Sequence, residues 1–241
     1  MVYPERIVPG ETSPGILALH LKRYEFALRW SEGADVLDAG CGVGYGSAHL
    51  GRQARSVLGV DSSAVALRHA RAHYAAANVD FMQADLAELP IPDSSFDLVC
   101  AFETIEHLDD QAAFLRTAVR VLRPAGTLIV STPRSRRTTH APKNPFHRVE
   151  LSAVEFEQLL RERFAQVELY GQMRAQTRRH RLMQRVDFLG LRRFLPVPSG
   201  SARLLGTPPM AAVTLDEIFI VRGELDGASE LVAVCTRPGQ G

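Results

Sequence analysis

Lysine is nearly absent: Lys22 and Lys143 are the only two in a chain of 241 residues, and the formal net charge is just +1. No global field therefore draws this protein to nucleic acid or to a membrane surface, and a nucleic-acid partner is not expected. Cysteine is scarce as well. Cys41, Cys100 and Cys235 are odd in number, far apart and set in apolar or glycine-rich surroundings. That pattern argues against a disulfide framework or a CxxC metal site and leaves buried thiols. Long apolar runs are also missing: no stretch reaches the ~18 residues a membrane span needs. The start, MVYPERIVPGETSPG, has no signal-peptide core, so a cytoplasmic protein is expected. There is no internal repeat and no low-complexity tract.

What is present is ordinary globular material. The hydrophobic fraction is 46% and the charged fraction 23%, and the length suits one substantial core with an insertion. Arginine takes the place of lysine and crowds RAQTRRHRLMQRVDFLGLRR at 174–193. Such a run reads either as the mark of a GC-rich genome or as a recruited anion site.

Periodicity alternates between strand and helix from about residue 35 to 170, which points to an α/β fold with a parallel sheet between helices. DVLDA (35–39), SVLGV (56–60), VDFM (79–82), FDLVCAF (96–102) and TLIVST (127–132) are short, β-branched and bounded by turn residues, as buried strands should be. SSAVALRHARAHYAAA (62–77) and DQAAFLRTAVRVL (110–122) have helical spacing, with Ser62 or Ser63 and Asp110 as candidate caps. RPAG after Leu122 stops the second of these helices. A further helix (152–164) and strand (165–170) follow, and LVAVCT (231–236) is the last strand. The stretch 171–229 has weak periodicity and several Pro and Gly. It reads as an insertion that serves as a cap, a lid or the arm of a homodimer. At the other end, residues 1–34 form a helical segment from Ile16 that carries Tyr3, His20, Arg23 and Tyr24.

The first strand ends in Asp38 and runs into Gly40, Gly42 and Gly44 and the start of a helix. Bare backbone is thus presented at the first turn of a doubly wound sheet, where ligands bind. The dinucleotide pattern G-x-G-x-x-G fails, because its third position holds Tyr45 or Ser47 depending on where counting begins. The spacing is D-x-G-x-G-x-G. It resembles the nucleotide loop of class I S-adenosylmethionine-dependent methyltransferases, of the type 11, UbiE-like kind. The resemblance continues in order along the chain: Asp61 ends the second strand, MQADLAELP (82–90) follows the third, and PDSSFDLVCAFETIEHL (92–108) and RVLRPAGTLIVSTP (120–133) follow in turn. It implies a Rossmann-like sheet of seven strands with the last strand antiparallel, with residues 1–34 closing over the cofactor. It implies S-adenosyl-L-methionine as that cofactor, held by Asp38, Gly40, Cys41, Gly42 and Gly44 in the loop. Asp61 and Ser62 would meet the ribose, and Ala84, Asp85, Leu86 and Phe102 the adenine side.

Methyl transfer to oxygen also needs a base. Glu103, Glu106 and His107 in ETIEHL have spacings that would share one face of a helical turn. With a remote histidine they form an oxygen and imidazole set that could hold a divalent ion such as magnesium. His147, in NPFHRVELS, lies on a polar loop at the acceptor end, and a histidine near its ordinary pKa of ~6.5 suits a general base. Glu103, Glu106, His107 and His147 are therefore the candidate metal set, and His147, Glu106 and His107 the candidate catalytic set. The ExxEH pattern resembles small-RNA 2′-O-methyltransferases. ERIVPG, NPFH and LYGQ resemble bacterial enzymes that methylate sugars, glycolipids or polysaccharide ends. The expected acceptor is a hydroxyl of a sugar or similar small metabolite. RNA 2′-O-methylation with a metal, and a cofactor-binding regulator without catalysis, are the alternatives.

Overall fold

The computed structural model describes residues 6–174 and 213–238. The first helix, α1 (Pro14–Ser31), opens on a proline in its first turn, where the missing N–H costs nothing. Then come β1 (Asp35–Ala39), α2 (Tyr45–Leu50), β2 (Ser56–Asp61), α3 (Ala64–Tyr74), β3 (Val79–Gln83) and β4 (Phe96–Phe102). A short 3₁₀ turn (Ile105–His107) leads to α4 (Gln111–Val121), β5 (Leu122–Pro133), α5 (Ala153–Arg161), β6 (Phe164–Arg174), β7 (Ile218–Arg222) and β8 (Glu230–Pro238). Ser63, Asp110 and Ser152 cap α3, α4 and α5 by accepting from the third backbone N–H beyond each.

These strands form one sheet in the order β3-β2-β1-β4-β5-β8-β6-β7. The pairs among β1 to β5 are parallel, while β8 runs antiparallel to both β5 and β6. The reversed last strand expected from the sequence is therefore present. The count differs: the described residues form eight strands, not seven. The additional strand is β7, which pairs antiparallel with the end of β6 from Tyr170 to Arg174. β7 lies wholly, and the end of β6 partly, inside the stretch 171–229 that the sequence marks as an insertion. IFIVR is short and stands alone among irregular sequence, so its strand character becomes plain only when β6 offers it an edge. RPAG does not form a separate turn either. α4 ends at Val121, and the chain enters β5 at Leu122 with a register shift opposite Phe96 and Leu98.

One face of the sheet packs Phe114, Leu115, Phe156 and Leu160 from α4 and α5. The other packs Tyr24, Phe26, Leu50 and Leu67 from α1, α2 and α3. Cys41, Cys100 and Cys235 are buried free thiols. Among the described residues no helix is long and apolar enough to cross a membrane. Strand order reverses at β1, whose neighbours are β2 and β4, and this places a crevice beyond the carboxyl ends of β1 and β4.

Candidate active site

A cavity of about 1160 Å³ fills that crevice. It exceeds the usual 300–1,000 Å³ of a single small-molecule site, so it has room for two ligands side by side. Its walls divide by chemistry.

One end is built from the loop after β1 and the ends of β2 and β3. Gly40, Cys41 and Gly42 line it, with Asp61, Ser62, Ala84, Asp85 and Leu86 opposite and Phe102 between. Gly40 and Gly42 have positive φ, +80° and +55°, the region glycine enters without steric cost. A side chain at Gly40 would strike the Thr104 hydroxyl, whereas one at Gly42 would meet no protein atom within 4 Å. Gly42 thus leaves a space that its missing side chain would fill, as close approach of a ligand to the backbone requires. Asp61 is fixed from both sides: its Oδ2 accepts from Gly42 N–H at 2.9 Å and its Oδ1 from Ser63 N–H at 2.8 Å. Arg6 faces the same carboxylate at 3.6 Å. Asp85 is exposed and accepts from Ala87 N–H.

Two loop residues expected on the cofactor do not line the cavity. Asp38 lies behind the loop, wholly buried, where Ser47 donates to Oδ2 at 2.6 Å and Tyr24 donates to Oδ1 at 3.2 Å. Desolvation raises its pKa to about 6, against the lowering by those two hydroxyls. Gly44 caps α2 with φ +89° and packs against Phe81 and Ala70.

The N-terminal segment supplies part of the wall through Arg6, Ile7, His20 and Tyr24. Tyr3 lies outside the described residues. Arg23 turns the other way: it is 1% exposed, with Nη1 3.4 Å from Gln172 of β6 and 4.0 Å from Glu230 of β8. The arginine beside the cofactor end is Arg6 of ERIVPG, which is not among the expected cofactor residues.

The other end of the cavity carries the acid and imidazole groups. Glu103 does not share a helical face with Glu106 and His107. It adopts φ +50° at the end of β4, its N–H donates to Ser131 Oγ, and Ser131 donates back to its carboxylate at 2.9 Å. Spacing arguments for one helical turn fail here because the turn begins only at Ile105. Glu106, His107 and His147 do come together, with one candidate ligand atom from each lying within 4.8 Å of the others; Glu103 is not in that cluster.

Glu106 is 1% exposed, and neither carboxylate oxygen has a hydrogen-bond partner. The nearby Thr132 hydroxyl favours its ionised form but is not in bonding geometry. Burial, and then the charge of Glu103, push its pKa well above the usual carboxylate value, which favours the protonated form. Its backbone carbonyl accepts from Arg148 and Val149 N–H, which docks the loop after β5 onto the 3₁₀ turn. His107 Nδ1 lies 3.0 Å from the Phe146 carbonyl and so carries the proton. Its ring meets that of His147 edge to face at 4.9 Å. His147 has Glu150 Oε1 3.0 Å from Nδ1 and Asn144 Nδ2 2.9 Å from Nε2. His140 is exposed and does not line the cavity. Thr104 of ETIEHL and Asn144 and Phe146 of NPFH also line it; the sequence marks only the acids and histidines of those two motifs as candidates. Arg178, Arg179 and Arg181 of the arginine run lie outside the described residues.

As a metal site this set fits in part. Glu106 and His107 Nε2 are available ligand atoms, but both nitrogens of His147 are engaged by protein groups.

Residues 37–130 match a methyltransferase domain family. A Mycolicibacterium smegmatis protein named probable S-adenosylmethionine-dependent methyltransferase is 43% identical over 162 residues, covering 65% of this chain and 62% of its own length. A similarly named Mycobacterium tuberculosis protein is 50% identical over 131 residues, 52% of this chain and 46% of its length. The chain therefore spans about half to three fifths of these curated relatives. Among solved structures, a possible histamine N-methyltransferase from Thermotoga maritima superposes with a TM-score of 0.62 at 18% identity, covering 92% of both chains. An S-adenosylmethionine-dependent methyltransferase from Mesorhizobium loti gives 0.58 at 20% identity, covering 91% of this chain and all of that one. Residues 37–130 are thus similar to a methyltransferase domain, and the fold is shared with solved methyltransferases along nearly the whole chain.

Proposed function

We propose that the protein is an S-adenosylmethionine-dependent O-methyltransferase acting on a hydroxyl of a sugar, a glycan end or a similar small metabolite. The observation that carries this reading is the two-ended cavity. A glycine-lined, carboxylate-bearing end suits the cofactor, and the facing end holds an oriented histidine. Among the relatives, ubiquinone biosynthesis O-methyltransferase of Azorhizobium caulinodans is 35% identical over 119 residues, 48% of this chain and 47% of its own. That likeness supports transfer to oxygen.

Bound S-adenosylmethionine supplies a methyl group on a sulfonium sulfur already activated for in-line displacement. The protein's part is to position, desolvate and deprotonate. Asp61 and the Gly40–Gly42 backbone hold the cofactor end. Glu106, whose burial favours its protonated form, donates a hydrogen bond to the acceptor oxygen and orients it. His147 would take the hydroxyl proton at Nε2 as the acceptor oxygen attacks the methyl group that the bound cofactor supplies. Glu150 lies against Nδ1 and compensates the resulting imidazolium, whose proton then passes to water.

No step is routed through a divalent ion: in this reading Nε2 of His147 is the proton acceptor, and an ion there would compete with the acceptor hydroxyl. The test is a panel of hydroxylated sugars, glycolipids and short RNA with labelled cofactor, each with magnesium or with a chelator. We expect label in a sugar or glycolipid hydroxyl, unaffected by chelator. His147→Ala should lower kcat by about 10²–10⁴-fold with cofactor affinity by calorimetry unchanged. Label in RNA alone, or loss of turnover with chelator, would replace this reading with the metal-dependent one. Cofactor binding with no product from any acceptor would favour a regulator.

A further inference from the structure

The surroundings of His147 fix more than its place. We infer that Glu150 and Asn144 are positioning residues that hold His147 in one tautomer, proton on Nδ1 and lone pair on Nε2, and that Asn144 covers that lone pair until an acceptor hydroxyl displaces it. The inference rests on the reading of His147 as the base.

A neutral imidazole has one donor and one acceptor nitrogen, and its neighbours decide which is which. On one side Glu150 Oε1 stands 3.0 Å from Nδ1. An ionised carboxylate only accepts, so the proton belongs on Nδ1. On the other side the argument is independent. The Asn144 amide is oriented by its own local turn: Oδ1 accepts from Phe146 N–H at 3.1 Å, which leaves Nδ2 as the end facing Nε2 at 2.9 Å. The amide orientation follows from that hydrogen-bond pattern. An amide N–H donates, so Nε2 carries the lone pair. Two partners with opposite hydrogen-bonding character thus specify the same tautomer.

The backing is rigid where it must be. Glu150 is pinned to Thr139 by a reciprocal pair of backbone bonds, each 3.0 Å. The His147 side chain is only 10% exposed, and its ring is braced against His107. Asn144, Phe146 and His147 line the cavity while Glu150 does not. The cavity therefore reaches Nε2 from the Asn144 side, and an entering hydroxyl takes over the hydrogen bond that Asn144 makes.

The test needs no acceptor. Protein labelled with ¹⁵N-histidine, with His147 assigned through His147→Ala, should show a pyrrole-type Nδ1 and a pyridine-type Nε2. Diethylpyrocarbonate, which attacks an imidazole lone pair, reports its availability when the His147 peptide is followed by mass spectrometry. Asn144→Ala removes the covering donor and should speed modification about 5- to 10-fold, the weight of one neutral hydrogen bond. Asn144→Asp keeps an acceptor for Phe146 N–H but turns a carboxylate toward Nε2. It should draw a proton there, slow modification below wild type and convert the nitrogen signal to pyrrole type. If Asn144 served only the local turn, aspartate, which preserves that turn, would leave both the modification rate and the nitrogen signal at wild type. Cofactor affinity near wild type in both variants keeps misfolding from imitating either result. A pyrrole-type Nε2 in the wild type, or Asn144→Asp with wild-type modification rate and nitrogen signal, overturns the inference and leaves the base reading to the His147→Ala rate. Full methyl transfer by His147→Ala removes the base reading and leaves the tautomer to the nitrogen spectrum.

Discussion

Asp38 shows how one residue's burial sets a pH dependence. Its carboxyl is wholly buried under the glycine loop and its pKa is raised to about 6, from an ordinary value of about 3.9. Between those values the folded protein binds a proton that the unfolded chain has released. Stability therefore falls as pH rises through that window and stays lowered above it, by about 3 kcal/mol for a shift of about two units. In Asp38→Asn this fall should disappear. Urea unfolding of both proteins at several points from about pH 4 to pH 7 measures it, and parallel curves would contradict the sign argued here. The sequence placed Asp38 at the loop. It could not show that Tyr24, from a helix upstream, and Ser47 would take the carboxylate out of the ligand's reach.

At the scale of elements, the contact between α1 and α2 leaves no slack. A methyl group on Gly46 would lie 1.9 Å from Tyr24 Cζ, inside the ring's own volume. Gly46→Ala should cost about 1–3 kcal/mol by overpacking, and it should weaken cofactor binding as well, since Tyr24 lines the cavity and bonds Asp38. Adding Tyr24→Ala should relieve the clash, so the double variant should be more stable than the two single losses predict by addition. Simple additivity in denaturant unfolding would show that the ring can move aside.

Most elements were legible because their signals are local. β1 and β4 begin and end where FDLVCAF and DVLDA do, since turn residues bound short β-branched runs, and the capping residues of α3, α4 and α5 stand at the helix starts. The ETIEHL turn was misjudged for a nonlocal reason: Ser131, on the neighbouring strand, holds Glu103 in a left-handed conformation that residue spacing does not reveal.

Across the whole molecule, ligand binding at the switch point should stabilise the fold it bridges, because the cavity draws on α1, β1 to β4 and the loop after β5. At about 100 times its Kd, S-adenosylmethionine should add about 2.7 kcal/mol. For a chain of this size that is a rise in Tm of roughly 5–10 °C, at ~2–4 °C per kcal/mol. Asp61→Ala removes an acceptor bonded to the glycine loop and a candidate partner of the ribose, and should lose most of that rise in a thermal scan. An equal rise in the variant would show that the carboxylate does not hold the ligand.

The sequence by itself determined the alternation of strand and helix, the glycine loop with its ordered acids, and hence the class of fold, and it pointed to the proposed cofactor. Each of these is written in residues close together in the chain, through backbone freedom, capping and the period of apolar side chains. Only the tertiary structure decided the eighth strand, the burial of Asp38 and Arg23, the exclusion of Glu103 from the imidazole cluster, and the pairing of ETIEHL with NPFHRVE. Those depend on which edges, carboxylates and rings meet across the sheet, where desolvation and hydrogen-bond geometry act between residues that sequence spacing cannot relate.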